Sequence, residues 1–269
     1  MEELGAVNYI FQVIIYDDLM IKYTAFLFAL TLILYVLLSS VYKFKHVEAL
    51  TISYDLTCSV ALSFLSYHGV SLWFGLNGNS PLTSEGPYMA HEKIQSFIIL
   101  PMIAYQFWNL ITVLLIDEYR TTFAIVHHIT TIAVGVFAFY PSWLYYLTYF
   151  FGFTEVSTLF LCLSILSKRF KGFHEKYSFI ASIFEGLFVL SFFAFRIFYY
   201  FYIIVDYWKE SWQEMIKHDH RFGMHAFIFF CTLIITFLQL YFSKLIIDGI
   251  KNLIQGGAEN KDKLQKKQD

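Results

Sequence analysis

Apolar residues along this chain fall in long unbroken blocks rather than in the alternating or half-apolar patterns of soluble elements. A membrane-spanning helix needs about 20 mostly apolar residues. Seven stretches meet that length, at roughly 23–42, 52–76, 94–116, 121–140, 143–166, 177–205 and 222–247. The run from Asn8 to Asp18 holds only about ten apolar residues, too few to span, and reads as an interfacial or re-entrant piece. The fourth and fifth stretches are separated only by Tyr140-Pro141-Ser142-Trp143, which predicts a tight antiparallel pair. After the last stretch the residues from Gly256 onward are polar and read as disordered.

Composition agrees with this pattern. Apolar residues make up 58% and charged residues 15%, where a soluble domain carries about a quarter charged. The net charge of −2 supplies no basic field for nucleic acid. Cys58, Cys162 and Cys231 lie inside apolar stretches and form no CxxC pair, which argues against a disulfide framework or a zinc site. The acidic N-terminus lacks the basic start of a cleavable signal peptide. Thirteen of the nineteen Lys and Arg residues fall on one set of helix ends, among them Lys43, Arg120, Lys168, Arg169 and the six from Lys244 to Lys267. Five fall on the opposite set and Arg196 lies within a span. The richer side is expected in the cytosol, with the C-terminus there and the N-terminus luminal. Trp and Tyr at the span ends, such as Trp73, Trp143 and Trp208, read as an interfacial aromatic belt.

Ionisable groups at bilayer depth cost about 2.5–3.5 kcal/mol each, so those that persist are expected to face a protein interior or a wet cavity. At 100° per residue they line up in three spans. Asp55, Ser59, Ser66 and Gly69 share a face of the second. Thr148, Gly152, Glu155 and Cys162 share a face of the fifth, with Thr158 at its edge. Ser178, Ser182, Glu185 and Arg196 share a face of the sixth, where Glu185 and Arg196 are about 16 Å apart along the axis and each needs another partner. The third span adds Gln106 and Asn109. The fourth holds the sharpest feature, the vicinal pair His127-His128, which can share a cavity only by flanking the inward direction. Thr131, four residues past His127, is positioned to orient its ring. Neutral imidazole is cheap to bury, can take a proton from an amine or hydroxyl, and can itself attack an acyl group. The competing reading is that all these groups are interhelical glue. No metal-ligating spacing is present.

The run DEYRTTFAIVHHITTIAVG, followed by GFTEVSTLFLCL and FFAFRIFYY, resembles the TLC domain, shared by ceramide synthases, translocon-associated TRAM proteins and lipid-homeostasis proteins. The resemblance covers about residues 45–250. It divides the chain into an N-terminal segment with the first transmembrane helix (1–44), the TLC domain (45–250) and a cytosolic disordered tail (251–269). It implies an all-α membrane protein of about seven transmembrane helices, six of them bundled around a central cavity. In ceramide synthases paired histidines act in acyl transfer from coenzyme A to a sphingoid amine, which would make His127 and His128 the reactive pair. Those synthases carry two aspartates about three residues apart in the following helix. Here the stretch holds a single acid, Glu155, a pattern similar to the transmembrane protein 56 (TLC domain-containing protein 4) group.

Two functions follow as expectations. The first is a multi-pass endoplasmic-reticulum protein of lipid homeostasis that binds, senses or moves membrane lipid in a polar cavity lined by Asp55, Glu155, Ser157, Thr158, Glu185 and Arg196. It needs no cofactor and no metal. The second is an acyl-CoA-dependent N-acyltransferase in which His127 and His128 are catalytic and acyl-CoA is the co-substrate. A translocon helper is disfavoured, because only about 20 tail residues are available for a cytosolic partner. Lys266 and Lys267, three and four places from the C-terminus, have the spacing of a dilysine retrieval signal read by a coat-protein receptor.

Overall fold

The computed structural model describes residues 17–76, 92–137, 144–170, 175–217 and 222–265. Among these every regular element is a helix. Helix α1 is Asp18–Ser40, α2 is His46–Trp73 and α4 is Thr122–Phe137. Helix α3 (92–115) joins Glu92–Ile94 to Leu100–Leu115 through a π turn, Gln95–Ile99. Helix α5 (144–169) carries a π turn at Thr148–Phe153, and α6 (178–217) carries one at Phe192–Phe198. Helix α7 is Phe222–Gln265.

Six helices are long and apolar enough to cross a bilayer, all but α4. With 16 residues, α4 is about 24 Å long against a hydrocarbon core of about 30 Å. The fourth of the seven expected spans is therefore a shorter apolar helix over the described residues, and the Pro141 hairpin lies outside them. The sixth helix outruns its expected end at 205. Its extension is amphipathic, and Tyr207, Ser211 and Met215, four residues apart, are buried. Residues 251–265, expected to be disordered, continue α7 as helix. Glu, Lys, Leu and Gln there are good helix formers, and Gly256 and Gly257 each cost only about 1 kcal/mol in an established helix.

Helices α2, α3, α4, α7, α6 and α5 pack in that order into a closed ring, α5 returning to α2. Helix α1 stands outside it against α2 and α3. Asp17 caps α1, its carboxylate accepting from the Leu19 and Met20 amides at 2.8 and 3.3 Å. Only a narrow strip of α1, Leu27, Thr31 and Leu38, is buried, and Thr31 donates to Thr57 Oγ1 of α2 at 3.1 Å. The opposite side exposes Leu32 and Ile33, as a lipid-facing surface would. Helix α2 packs closely along α5. The two cross where Gly69 meets Gly152, so closely that a Cβ on Gly152 would lie 2.5 Å from the Gly69 Cα and 3.0 Å from Ile98 Cδ1. The two glycines on polar stripes thus serve close backbone approach, as small residues do between membrane helices.

The obstructing atoms at this crossing are backbone and cannot swing aside. Gly69→Ala or Gly152→Ala is expected to destabilise the ring by at least about 1–3 kcal/mol. The check is thermal unfolding of purified protein, with Gly186→Ala as a control, since nothing lies within 4 Å of a Cβ there.

Candidate functional site

The ring encloses a chamber of about 340 Å³. Its polar side is built from α5, where the chain leaves the π turn at Thr154 and continues as α-helix through Glu155, Ser157 and Thr158. These four residues grip one guanidinium. Arg196 Nε donates to the Thr154 carbonyl at 3.2 Å and to Ser157 Oγ at 2.8 Å. Arg196 Nη2 donates to Glu155 Oε1 at 2.9 Å and to Thr158 Oγ1 at 2.7 Å. Arg196 is 9% and Glu155 8% exposed, so the pair is held out of solvent with its charge neutralised and its hydrogens directed. Arg196 sits in the π turn of α6. The same turn leaves the Phe195 carbonyl for the Tyr149 hydroxyl of α5, which locks the two π turns together.

Across the chamber, α4 presents both histidines to it. Gln106 Oε1 of α3 accepts from His128 Nδ1 at 2.5 Å, while Gln106 Nε2 faces Met102 Sδ at 3.3 Å. With the amide in this orientation the neutral His128 ring carries its proton on Nδ1 and keeps Nε2 as an acceptor. The two imidazoles lie 5.4 Å apart, tilted by 69°. Thr131 does not orient the His127 ring. Its hydroxyl donates to the His127 backbone carbonyl at 2.8 Å, the usual turn-back bond of a helical threonine.

A second polar cluster closes the chamber at the end where α5 finishes and α3 turns into α4. Asp55 of α2 accepts from Arg169 Nε at 2.5 Å and from the Tyr119 hydroxyl at 2.7 Å. Arg169 Nη2 also reaches Glu118 Oε1 at 2.9 Å and Tyr119 Oη at 2.7 Å. Tyr119 lies in the turn between α3 and α4. Burial, then the neighbouring carboxylate of Asp55, hold its phenol well above the usual range, so it stays a donor. Next to it the Tyr54 hydroxyl donates to Asn109 Oδ1 at 2.6 Å, and Tyr54 stacks on Trp108.

Of the expected cavity residues, Asp55, His127, His128, Glu155, Ser157, Thr158 and Arg196 all line this chamber. Glu185 does not. It pairs with Lys168 at 2.6 Å on a half-exposed rim, and Ser182 on the same stripe is exposed. The reason is the π turn: it adds a residue to the helical repeat, so the 100° projection that aligned Glu185 with Arg196 loses phase between them. Cys58 and Cys162 also line the chamber as free thiols. Among the described residues no three His, Cys, Asp or Glu side chains converge on a metal-sized site. Lys266 and Lys267 lie outside the described residues.

Two features escaped the sequence reading. Arg169 read only as a loop charge, and nothing local distinguishes it. The other had a signal. In α7, Thr232, Thr236, Gln239 and Ser243 recur at helical spacing on one face, and all four are buried. Thr232 accepts from Trp208 Nε1 at 3.1 Å and Thr236 bonds Tyr200 Oη at 2.9 Å, which ties α7 to α6.

A closed ring of six apolar helices around a partly polar chamber is the architecture of a multi-pass membrane protein. The TRAM/LAG1/CLN8 family description, the TLC domain, matches residues 17–248. The chain belongs to the TLC-domain family. The match begins at residue 17, so the domain takes in α1 as well as the region from 45 expected from sequence. No curated protein and no solved structure matches the chain.

Removing one partner of the buried pair leaves the other charge uncompensated. Glu155→Leu is therefore expected to destabilise the fold by about 3–5 kcal/mol, although it makes the helix more apolar. The double variant Glu155→Leu/Arg196→Leu should recover most of that loss. Chemical denaturation of the three proteins measures both effects, and a Glu155→Leu protein as stable as wild type would break the assignment.

Proposed function

We propose that this TLC-domain protein acts in lipid homeostasis at the endoplasmic-reticulum membrane by binding, sensing or moving lipid in its intramembrane chamber. The observation that carries this reading is the chamber itself. Its 340 Å³ falls in the range of small-molecule sites, most of its wall is apolar, and its polar groups are gathered in two clusters, one around Arg196 and one at the end closed by Asp55. A pocket of that kind in the middle of a bilayer suits a molecule with a hydrocarbon chain and a small polar group. The single acid at Glu155 supports a place in the TLC domain-containing protein 4 group. That acid is committed to Arg196, which leaves no second carboxylate beside the histidines to act in proton transfer.

One observation favours the acyltransferase alternative. His128 is held by Gln106 as a general base needs to be, with Nε2 an acceptor, beside His127 on the same chamber. In that reaction Nε2 takes the proton of an amine as the nitrogen attacks the acyl-CoA thioester, and the coenzyme A thiolate leaves. The first reading expects cells lacking the protein to show altered membrane lipid composition, and purified protein to transfer no acyl group from acyl-CoA to amines or alcohols. Transfer that is lost in both His127→Ala and His128→Ala, with protein level unchanged, establishes the alternative instead. Unaltered lipid composition counts against both.

We also infer the orientation from the distribution of Lys and Arg, N-terminus luminal and C-terminus cytosolic, with Lys266 and Lys267 read by a retrieval receptor. Changing both lysines to Ser is expected to move a tagged protein from the endoplasmic reticulum towards the Golgi or plasma membrane. Fluorescence microscopy against organelle markers checks this, and an unchanged distribution removes the signal from the account.

A further inference from the structure

A second, smaller chamber of about 40 Å³ lies beside the first. The two share Gln106, His127, Glu155, Arg196 and Gln239 in their walls, so these residues form a polar belt between them. The belt carries no net charge. Arg196 is paired with Glu155 and further bonded to Thr154, Ser157 and Thr158. At the chamber's end Arg169 is likewise consumed by Asp55, Glu118 and Tyr119. A carboxylate or phosphate placed at the belt would therefore meet no unpaired cation, and an ammonium no unpaired carboxylate. Either would lose its hydration without a compensating charge.

Two neutral groups of the belt remain uncommitted. The His127 ring makes no hydrogen bond among the described residues, and a neutral imidazole offers one donor and one acceptor. Gln239 is 5% exposed and its Oε1, sealed from solvent, has no hydrogen-bond partner, whereas Thr232 and Thr236 on the same face are bonded. An unpaired buried amide oxygen is costly, and a ligand that brings an O–H to it removes that cost. The small chamber admits a group of hydroxyl size.

We propose that the belt binds the uncharged hydroxyl head of a single-chain lipid. The hydroxyl donates to Gln239 Oε1 and accepts from His127, and the hydrocarbon chain occupies the larger chamber. This rests on the lipid-binding reading above and narrows it to neutral, hydroxyl-bearing lipids over fatty acids and phospholipids.

Photoactivatable 16-carbon probes tested on the full chain in nanodiscs separate the possibilities: an alcohol, a carboxylic acid at pH 8 and a plain hydrocarbon. The alcohol is expected to label the chamber at about one-tenth or less of the concentration the acid requires, because the acid's charge loses its hydration with no unpaired cation to meet it. Gln239→Leu should raise the alcohol concentration needed about tenfold and leave hydrocarbon labelling unchanged. Its thermal midpoint should be equal or higher, since an orphan polar group is gone, and Gln239→Met provides a second variant of similar length. An acid that labels as well as the alcohol, or Gln239 variants that label like wild type, overturns the proposal. Failure of both the alcohol and the hydrocarbon to label sinks the lipid-binding reading and this proposal with it.

Discussion

The grip of α5 on Arg196 is the constraint around which the bundle is arranged. A guanidinium in the middle of a membrane helix is costly unless its charge and its hydrogens are both met. Here a carboxylate meets the charge, and with a backbone carbonyl and two hydroxyls it takes the hydrogens of Nε and Nη2, all from one turn of one neighbouring helix. Meeting them requires α5 and α6 to approach at a set depth and rotation. That fixes which residues of both helices face inward, and it places the charged part of the chamber wall.

The rest of the ring accommodates that requirement. Both helices that form the pair depart from regular α geometry close to it, at Thr148–Phe153 and Phe192–Phe198, and the Tyr149–Phe195 hydrogen bond absorbs a carbonyl freed by the irregularity. On its other side α5 must lie almost in contact with α2, and the facing glycines Gly69 and Gly152 make that possible. Helix α2 then supplies Asp55 to the second ionic cluster, where Arg169 and Tyr119 join the ends of α5 and α3. The chamber is thus bounded at mid-depth and at one end by ion pairs that are internally balanced, and between them by apolar side chains.

That balance has a functional consequence. Charged groups in this interior hold the scaffold and are spent in doing so. The groups left to meet a ligand are neutral: the His127 ring, Nε2 of His128 and the Gln239 amide. Such a site is suited to a lipid with a small uncharged polar group. It can also position an imidazole as a base, since His128 has its tautomer set by Gln106.

Much of this was legible in the residues. Long apolar blocks set the helical membrane class and six of the span positions, because the bilayer imposes a length and forbids unpaired backbone. The cost of burying Asp55, Glu155, Arg196 and the histidines marked them as inward-facing on sequence grounds alone. The residue pairings were decided only by the tertiary structure. Glu155 meets Arg196, Lys168 meets Glu185, Arg169 crosses to Asp55, and Gln106 takes His128, because each partner comes from a different helix. The projection that misplaced Glu185 assumed a uniform helix, and the π turn at Phe192–Phe198 breaks that phase. Gln239 was readable as part of a polar stripe in α7. That its oxygen lacks a partner while its neighbours on the stripe do not is a property of the folded ring, since only there do Trp208 and Tyr200 come up against the two threonines and leave the amide unmet.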